Sequence, residues 1–363
     1  MKEHAPARRK FIKQLALGAG ALALPRLSAV CRPGKERLGV ALVGLGYYST
    51  HLLAPALQRT QYCSLAGIVT GTPTKAELWK RQYAIPDQNI YDYSSFDRIA
   101  NNADIDVVYI VLPNSLHAEY AIRAANAGKH VWCEKPMALT VKDCEAMIKA
   151  CRDNKVSLAI GYRMQHEPNT QTVIRYGKER TYGQVKSISA AAGFYESRTG
   201  HWRQQKAMGG GAMHDMGVYS LQAARYCSGE EPMAVTAQHL TTRPEIYREV
   251  DETTTFELEF PSAILAHCKT SFGMTMNSLR VNCEKGWYQL EPFQTYSGIQ
   301  GITSDGRPLN ATIDSQQAKQ MDDDALAILE GRPLLVPGEE GLRDIRVVEA
   351  VFESARTGRR VVI

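Results

Sequence analysis

The chain has 363 residues, 44% of them hydrophobic and 22% charged, which is the composition of a globular protein long enough for two domains. Its formal net charge is +5, but residues 1–30 hold six basic residues and one acidic residue, so the rest of the chain is close to neutral. This balance excludes a broad basic surface of the kind that binds nucleic acid or an anionic membrane.

Paired arginines, Arg8 and Arg9, stand before Lys13 and a short run rich in Leu, Ala and Gly. The run has roughly ten apolar residues, whereas a helix that spans a bilayer needs about 20. The pattern looks like a twin-arginine signal peptide, so we predict a signal over residues 1–29, export of the folded protein to the periplasm, and no membrane span. A disordered basic arm is the alternative, and a lipid anchor at Cys31 is a minor one.

Residues 38–46, LGVALVGLG, form an apolar run that ends in Gly44 and Gly46, ahead of the helix-like segment YYSTHLLAPALQ. A strand that is apolar at every position suits a parallel sheet covered on both faces. A glycine turn between such a strand and a helix is typical of a phosphate-binding turn, in which Gly44 permits the turn and Gly46 lets the backbone approach a pyrophosphate. Ser49 stands where a third glycine or alanine is usual, and a glycine turn without a ligand is the alternative.

Strand-like and helix-like segments alternate after this turn. Further strands are predicted at residues 64–70, 106–113, 129–136 and 156–163, and amphipathic helices at 117–128 and 141–154. This alternation predicts βαβ units and a doubly wound parallel sheet, hence a Rossmann domain over residues 36–163. Strand-like stretches continue through the second half, and a helix is predicted over residues 339–356.

The end of the second predicted strand bears on the cofactor. An NAD site places Asp or Glu here, against the ribose 2′-hydroxyl, whereas this chain has Thr70, Thr72 and Lys75. Thr72 can cap a helix that starts at Pro73, which would bring N–H groups, hydroxyls and the Lys75 ammonium together. We therefore predict NADP rather than NAD. An ordinary capped helix with a solvated lysine is the alternative.

The cysteines and histidines show no metal-binding spacing. The eight cysteines include no CxxC pair, and the nine histidines include no HExxH. Scattered cysteines are usually buried apolar residues. We predict no metal.

At LPNSLH (112–117), EKP (134–136) and GGG..HD.G.Y (209–219), the chain resembles the Gfo/Idh/MocA oxidoreductase family, most of all its glucose-fructose oxidoreductase branch. The similarity runs from residue 38 to the end. It implies an α/β fold with an N-terminal Rossmann domain and, over residues 164–363, an α+β domain with a large, mostly antiparallel open sheet. It also implies a homo-oligomer, a dimer or tetramer, and a C-terminal helix that packs back on the Rossmann domain.

The stretch GGGAMHDMGVYS places Asp215 and Tyr219 one helical turn apart behind three glycines, which we expect to leave room for a ligand against the backbone. Hydride transfer from a sugar hydroxyl needs a group that takes the hydroxyl proton, and a tyrosine can do so when a nearby cation stabilises its anion. Lys135, at the end of a predicted parallel strand, is the candidate cation. By spacing alone Tyr219 could equally be a core aromatic. His214 points to another face, and we interpret it as structural.

The resemblance implies that Lys135, Asp215 and Tyr219 are the catalytic residues around the nicotinamide and the sugar. More loosely, it implies a set of cofactor-binding residues. These are Gly44, Gly46, Tyr47, Tyr48, Thr70, Thr72, Lys75, Tyr93, Leu112, Pro113, Asn114, His117, Glu134, Lys135, Arg163, Trp202, Arg203 and Tyr296. Trp202 and Tyr296 could instead be packing residues, and Arg163 could meet the sugar or close a surface ion pair.

The expected activity is NADP-dependent sugar oxidoreduction, with hydride passing from an aldose to tightly held NADP⁺ and on to a second sugar by a ping-pong mechanism. Retention of the cofactor follows from export to a compartment that has no free NADP pool. Two departures from the branch bear on retention: residues 30–37 stand in place of a long proline-rich arm that covers the cofactor, and Tyr47 replaces a lysine. The alternatives are an exported NAD(P)-dependent glycosidase that uses transient oxidation, a sugar dehydrogenase with a dissociable cofactor, and a non-catalytic sensor.

Overall fold

The computed structural model describes residues 35–363. The predicted signal peptide, residues 1–29, and Cys31 lie outside this range. Within it the chain forms two β-sheets flanked by helices, and the predicted α/β fold with two different sheets is confirmed.

The first sheet and its helices come from the first half of the chain. The strands are β1 (Leu38–Val43), β2 (Cys63–Val69), β3 (Ile90–Tyr91), β4 (Val107–Ile110), β5 (His130–Cys133) and β6 (Leu158–Ile160), and the helices are α1 (Ala54–Leu57), α2 (Pro73–Tyr83), α3 (His117–Asn126) and α4 (Val141–Asp153). Helix α5 (Pro168–Glu179) follows in the chain and packs mainly against elements of the second half. All six strands are parallel, in the order β3-β2-β1-β4-β5-β6 of a Rossmann fold. Every residue of β1 is buried, as a strand covered on both faces requires.

The predicted strands extend one to three residues too far at their carboxyl ends. The strand predicted over 106–113 stops at Ile110, and the strand predicted over 129–136 stops at Cys133. The residues left over form turns at the carboxyl edge of the sheet, where ligands of parallel sheets bind.

The second sheet has nine strands within the described residues. They are β7 (Val185–Gly193), β8 (Ala234–Leu240), β9 (Thr253–Glu259), β10 (Leu265–Ser271), β11 (Met276–Cys283), β12 (Gly286–Leu290), β13 (Gly301–Thr303), β14 (Pro308–Leu309) and β15 (Val361–Val362). Their order is β14-β13-β12-β11-β7-β10-β9-β8-β15, and all neighbours are antiparallel except β7 and β10. Helix α6 (Val218–Ser228) packs against β7, β10 and β11.

Two C-terminal helices return to the first sheet. Helix α7 (Gln316–Glu330) packs against α1 and β2, with Met321 and Ile328 in the hydrophobic core of that side. Helix α8 (Gly338–Thr357), close to the helix predicted over 339–356, packs against α4 and β6 of the first sheet and also against α6 and β8 of the second. The segment after residue 163 therefore contributes to the cores of both sheets.

Within residues 35–363, no helix has both the length and the apolar composition needed to cross a membrane. In the same part of the chain, no three His, Cys, Asp or Glu side chains are grouped so as to bind a metal ion. The described cysteines are free, and all of them except Cys283 are buried.

Candidate active site

A cleft of about 1110 Å³ lies between the carboxyl edge of the first sheet and the loops of the second. Pockets for drug-sized ligands hold about 300–1,000 Å³, so this cleft is large enough for an elongated ligand beside a small one. Every residue predicted from the sequence to be catalytic or to bind the cofactor lines this cleft. The structure therefore brings together all of the predicted site residues, which come from many separate segments.

The glycine turn after β1 has the properties expected of a phosphate-binding turn. Gly44 has a φ of +91°, and a Cβ there would lie 2.5 Å from the carbonyl oxygen of Val111. A Cβ at Gly46 would meet no atom within 4 Å, so a ligand in the cleft can approach this backbone. Ser49 begins a π-helical turn, Ser49–Leu53, and its hydroxyl donates to Gly44 O at 2.5 Å. The serine closes the turn from within, and a third glycine is not needed.

The end of β2 provides the predicted phosphate site. Thr72 occupies the N-cap of α2, as expected, but its side chain makes no capping hydrogen bond. Lys75 Nζ donates to Leu45 O at 2.9 Å and has no carboxylate partner among the described residues. A helix start, a hydroxyl that caps no N–H group and an ammonium without a carboxylate partner favour a phosphate. The residues present therefore fit the 2′-phosphate of NADP.

Two polar side chains after β4 bind protein atoms. His117 is buried, with its ring nitrogens 2.8 Å from Pro136 O and 2.9 Å from Leu112 O. Burial lowers the pKa of His117 despite these two contacts. Asn114 donates to Gly209 O at 2.8 Å. These bonds connect the loops after β4 and β5 to the loop before α6.

Lys135, Asp215 and Arg203 form an ion-pair cluster in the cleft wall. Lys135 Nζ donates to Asp215 Oδ1 at 2.9 Å and to Asp215 O at 2.6 Å, and Arg203 Nε donates to Asp215 Oδ2 at 2.6 Å. Burial opposes both charges of the pair, but Arg203 and Lys135 hold the pKa of Asp215 below its usual value, and Asp215 holds the pKa of Lys135 above its usual value. Arg203, which the resemblance assigned to the cofactor, therefore has Asp215 as its partner in the structure.

Tyr219 lies between two cations. Lys135 Nζ is 4.9 Å and Arg163 Cζ is 5.6 Å from the centroid of its ring. Arg163 is buried, donates to Gln316 Oε1, and lies 4.8 Å from the ring centroid of Tyr296. No carboxylate of the described residues forms an ion pair with Arg163, so the surface ion pair considered for it is wrong. Its charge acts on the two tyrosines instead.

The three glycines before α6 do not leave room for a ligand. A Cβ at any of them would clash with another part of the protein. The nearest contacts would be 2.7 Å to Leu139 Cδ2 from Gly209, 2.4 Å to Arg203 O from Gly210, and 2.3 Å to Asp251 Oδ1 from Gly211. The expectation of a ligand against this backbone was wrong, because other loops of the protein already occupy that space.

The local helix around Asp215 is wider than an α-helix. Asp215 lies in a π-helical turn, Met213–Gly217, and Tyr219 lies in the first turn of α6. Both line the cleft, whereas His214 does not. The His214 ring lies 5.1 Å from that of Phe352, centroid to centroid, and burial lowers its pKa. This position agrees with a structural interpretation of His214.

Sequence reasoning missed several residues that line the cleft from the second sheet. Among them are Phe194, Arg198, His201, Asn277 and Gln294. Arg198 pairs with Glu196 at 2.5 Å, and Asn277 Oδ1 accepts from Gln294 N at 2.9 Å. Asn277 lies in β11 and the others in loops, and no local pattern marks any of them as site residues. The position of His201 beside Trp202 was the one signal in the sequence.

A glycine turn at the edge of a Rossmann sheet, combined with a buried aspartate and a partly buried lysine and tyrosine, is typical of an oxidoreductase that uses a nicotinamide dinucleotide. Residues 38–162 match the model of an oxidoreductase family with an NAD-binding Rossmann fold, and residues 170–289 match the GFO/IDH/MocA C-terminal domain. The chain belongs to this Gfo/Idh/MocA family, and the prediction that it is an oxidoreductase is confirmed.

Several relatives of the chain have names that specify a sugar substrate or a cofactor. An aldose-aldose oxidoreductase from Caulobacter crescentus, solved with glycerol, is 41% identical, with 90% of this chain and 100% of that chain covered and a TM-score of 0.87. A D-xylose 1-dehydrogenase [NADP(+)] from Haloarcula marismortui is 27% identical over 87% of this chain and 91% of that protein. A second, from Haloferax volcanii, is 28% identical over 89% of this chain and 98% of that protein. The predicted use of NADP agrees with the names of both dehydrogenases.

Proposed function

We propose that the protein oxidises an aldose with NADP⁺ held in the cleft and then reduces a second sugar with the same nucleotide, in a ping-pong reaction. The observation that carries this proposal is the buried pair of Lys135 and Asp215 beside Tyr219, in a cleft that fits an NADP phosphate at its other end. The relatives described above act, by their names, on aldoses and on xylose. Sugar hydroxyls are therefore the substrate class we assign.

The chain's own residues would hold the nucleotide. The turn at Gly44 and Gly46 would bind the pyrophosphate, and Thr72 and Lys75 would bind the 2′-phosphate. When bound, NADP supplies the hydride acceptor next to the catalytic residues.

Tyr219 is the proton acceptor in this proposal. As hydride leaves the sugar carbon, the sugar hydroxyl gives its proton to the phenolate oxygen of Tyr219, and an aldose becomes its lactone. In the second half-reaction a carbonyl carbon of the second sugar receives the hydride and its oxygen receives the proton from Tyr219, which gives a polyol. Lys135 donates a hydrogen bond to the reacting oxygen, and Asp215 fixes the position of Lys135.

Retention of the nucleotide has support from both sides of the cleft. Tyr48 follows the glycine turn of the first sheet, Tyr296 belongs to a loop of the second, and their ring centroids are 5.8 Å apart. Aromatic rings that meet across a cleft would hinder the exit of a bound nucleotide. We propose export through the twin-arginine route on the evidence of Arg8 and Arg9, and retention would keep an exported enzyme active. A homo-oligomer stays a prediction.

The proposal can be tested on protein folded in the cytoplasm, purified and dialysed. Denaturation releases any retained nucleotide for identification by mass and near-ultraviolet absorbance. We expect NADP in stoichiometric amount, reduced after exposure to an aldose and oxidised again by a second sugar. Tyr219→Phe is the matched control, because it should retain the nucleotide without changing its redox state.

Other outcomes would identify the alternatives. Protein without nucleotide that turns over only with added NADP would be a sugar dehydrogenase with a dissociable cofactor. Cleavage of an aryl glycoside without a second sugar would indicate the glycosidase. Properties that are all unchanged in Tyr219→Phe would indicate a sensor.

A further inference from the structure

Asp251 stands outside the cleft, in the segment just before β9, and it is almost fully buried. Its Oδ2 accepts from Met213 N at 2.8 Å, and its backbone oxygen accepts from Ala212 N at 3.1 Å. These two N–H groups lie at the start of the π-helical turn that contains Asp215. N–H groups in the first turn of a helix have no partner within the helix, so Asp251 supplies their acceptors from a distant segment.

The position of Asp251 is itself fixed. Thr254 Oγ1, in β9, donates to Asp251 Oδ2 at 2.7 Å. A Cβ at Gly211, which has a φ of +108°, would lie 2.3 Å from Asp251 Oδ1. The carboxyl group therefore packs directly on the glycine backbone, and this contact gives a physical reason for glycine at position 211.

The second sheet holds the same helix at two more points. Thr270 Oγ1, in β10, donates to Ala212 O at 3.1 Å, and Ser220 Oγ donates to Lys269 O at 3.1 Å. These contacts leave the start of the turn little freedom while Asp251 is in place. Without Asp251, the N–H of Met213 would be buried with no acceptor, and the turn would have to move to satisfy it.

From these contacts we infer that Asp251 is a positioning residue of the active site: it fixes where the π-helical turn begins, and thereby sets Asp215 against Lys135 and Tyr219 against the substrate. This inference rests on the proposed function for its kinetic consequence. A displacement of about 1 Å can cost on the order of 10²-fold in rate, so the expected loss is large although Asp251 touches no reacting atom.

The test compares Asp251→Ala with Asp251→Asn, whose amide oxygen can still accept from Met213 N. We expect Asp251→Ala to lower kcat for sugar-dependent NADP reduction by about 10- to 100-fold, with the Kd for NADP unchanged because the nucleotide turns belong to the first sheet. Asp251→Asn should recover most of the lost rate. Hydrogen exchange at residues 211–214 should be faster in Asp251→Ala and close to wild type in Asp251→Asn.

Asp322→Ala is the matched control. Asp322 also accepts backbone N–H groups of a distant segment, from Gln61 at 2.9 Å and Tyr62 at 2.8 Å, but it does not line the cleft. The Asp322→Ala variant should show faster hydrogen exchange at the amides of Gln61 and Tyr62 and keep the wild-type kcat. If Asp251→Ala does not fold, Thr254→Val, which frees the carboxyl group, should lower kcat with the Kd for NADP unchanged.

Three results would overturn the inference: a wild-type kcat in Asp251→Ala, a wild-type kcat in Thr254→Val where the alanine variant does not fold, or unchanged exchange at residues 211–214. The exchange result does not depend on turnover. If none of the sugars tested supported NADP reduction by the wild-type protein, the proposed function would fail. Hydrogen exchange would still decide whether Asp251 holds the turn in place.

Discussion

Replacing Asp215 with alanine would leave two cations without their common anion. The side chains of Asp215, Lys135 and Arg203 are 9%, 13% and 24% exposed, so water can screen the remaining charges only in part. Removing one member of a buried ion pair costs about 3–5 kcal/mol, and the partial exposure of Arg203 favours the lower end, about 3 kcal/mol. At about 2.1 cal/mol/K per residue, the unfolding entropy of residues 35–363 is about 0.7 kcal/mol/K, so the melting temperature should fall by about 4 °C.

The stability lost in Asp215→Ala should also depend on pH. The folded pKa of Asp215 lies below its unfolded value of about 3.9, so its contribution is fully present above that value and is lost as the pH falls towards the folded pKa. The folded pKa of Lys135 lies above its unfolded value of about 10.4, so its contribution is present below that value and is lost as the pH rises through the folded pKa. The difference in the free energy of unfolding between wild type and Asp215→Ala should therefore be constant from about pH 5 to 9 and shrink below about pH 4.

The assay is calorimetric melting of nucleotide-free protein across this pH range. Glu259→Ala is the control, because it breaks an exposed pair with Arg360 and should leave the melting temperature unchanged. An Asp215→Ala variant that melts like the wild type at pH 7 would refute the reasoning, since Lys135 and Arg203 would then need no anion.

The remaining predictions concern the nucleotide and the glycines. Tyr219→Phe should lower sugar-dependent NADP reduction by at least about 10²-fold with the Kd for NADP unchanged, and a parallel loss of binding would contradict a catalytic role. Lys75→Met should weaken binding of NADP but not of NAD in fluorescence titrations. Equal weakening for both nucleotides would show that Lys75 does not bind the 2′-phosphate. Gly210→Ala would put a Cβ 2.4 Å from Arg203 O and should cost about 1–3 kcal/mol of stability in denaturant unfolding. Gly46→Ala should keep wild-type stability and bind nucleotide less tightly, and a stability loss equal to that of Gly210→Ala would contradict the difference in their surroundings.

The first sheet and most of the cleft could be predicted because their signals are local. An apolar run before Gly44 determines a buried strand and a turn within a few residues. The motif around Lys135 follows a parallel strand, and parallel strands bring such segments to the same edge as the glycine turn without further information. The segment of Tyr219 belongs to α6 on the second sheet, and its place in the cleft was predicted from the family resemblance.

What sequence reasoning missed depends on contacts between distant segments. Arg203 pairs with Asp215, and Asp251 binds the start of the same turn. These contacts join segments that are distant in the sequence, and no local sequence pattern predicts them. The interpretation of the glycines failed for the same reason. Small residues beside a catalytic segment suggest a bound ligand. At Gly211, however, the absence of a side chain makes room for the buried carboxyl group of Asp251.

Helix α8, which packs on both sheets, restricts how this chain can be recombined with its relatives. A chimera joined at residue 163 would keep the first sheet of one parent but pack it against α7 and α8 of the other, so α1, α4 and β2 would contact foreign residues. Exchange of residues 36–163 together with 316–330 would keep α7 with its own α1 and β2. Helix α8 contacts α4 and β6 on one side and α6 and β8 on the other, so whichever parent supplies it, one of its faces meets foreign residues. A functional chimera of this protein therefore needs the residues of one α8 interface to be exchanged together with the helix.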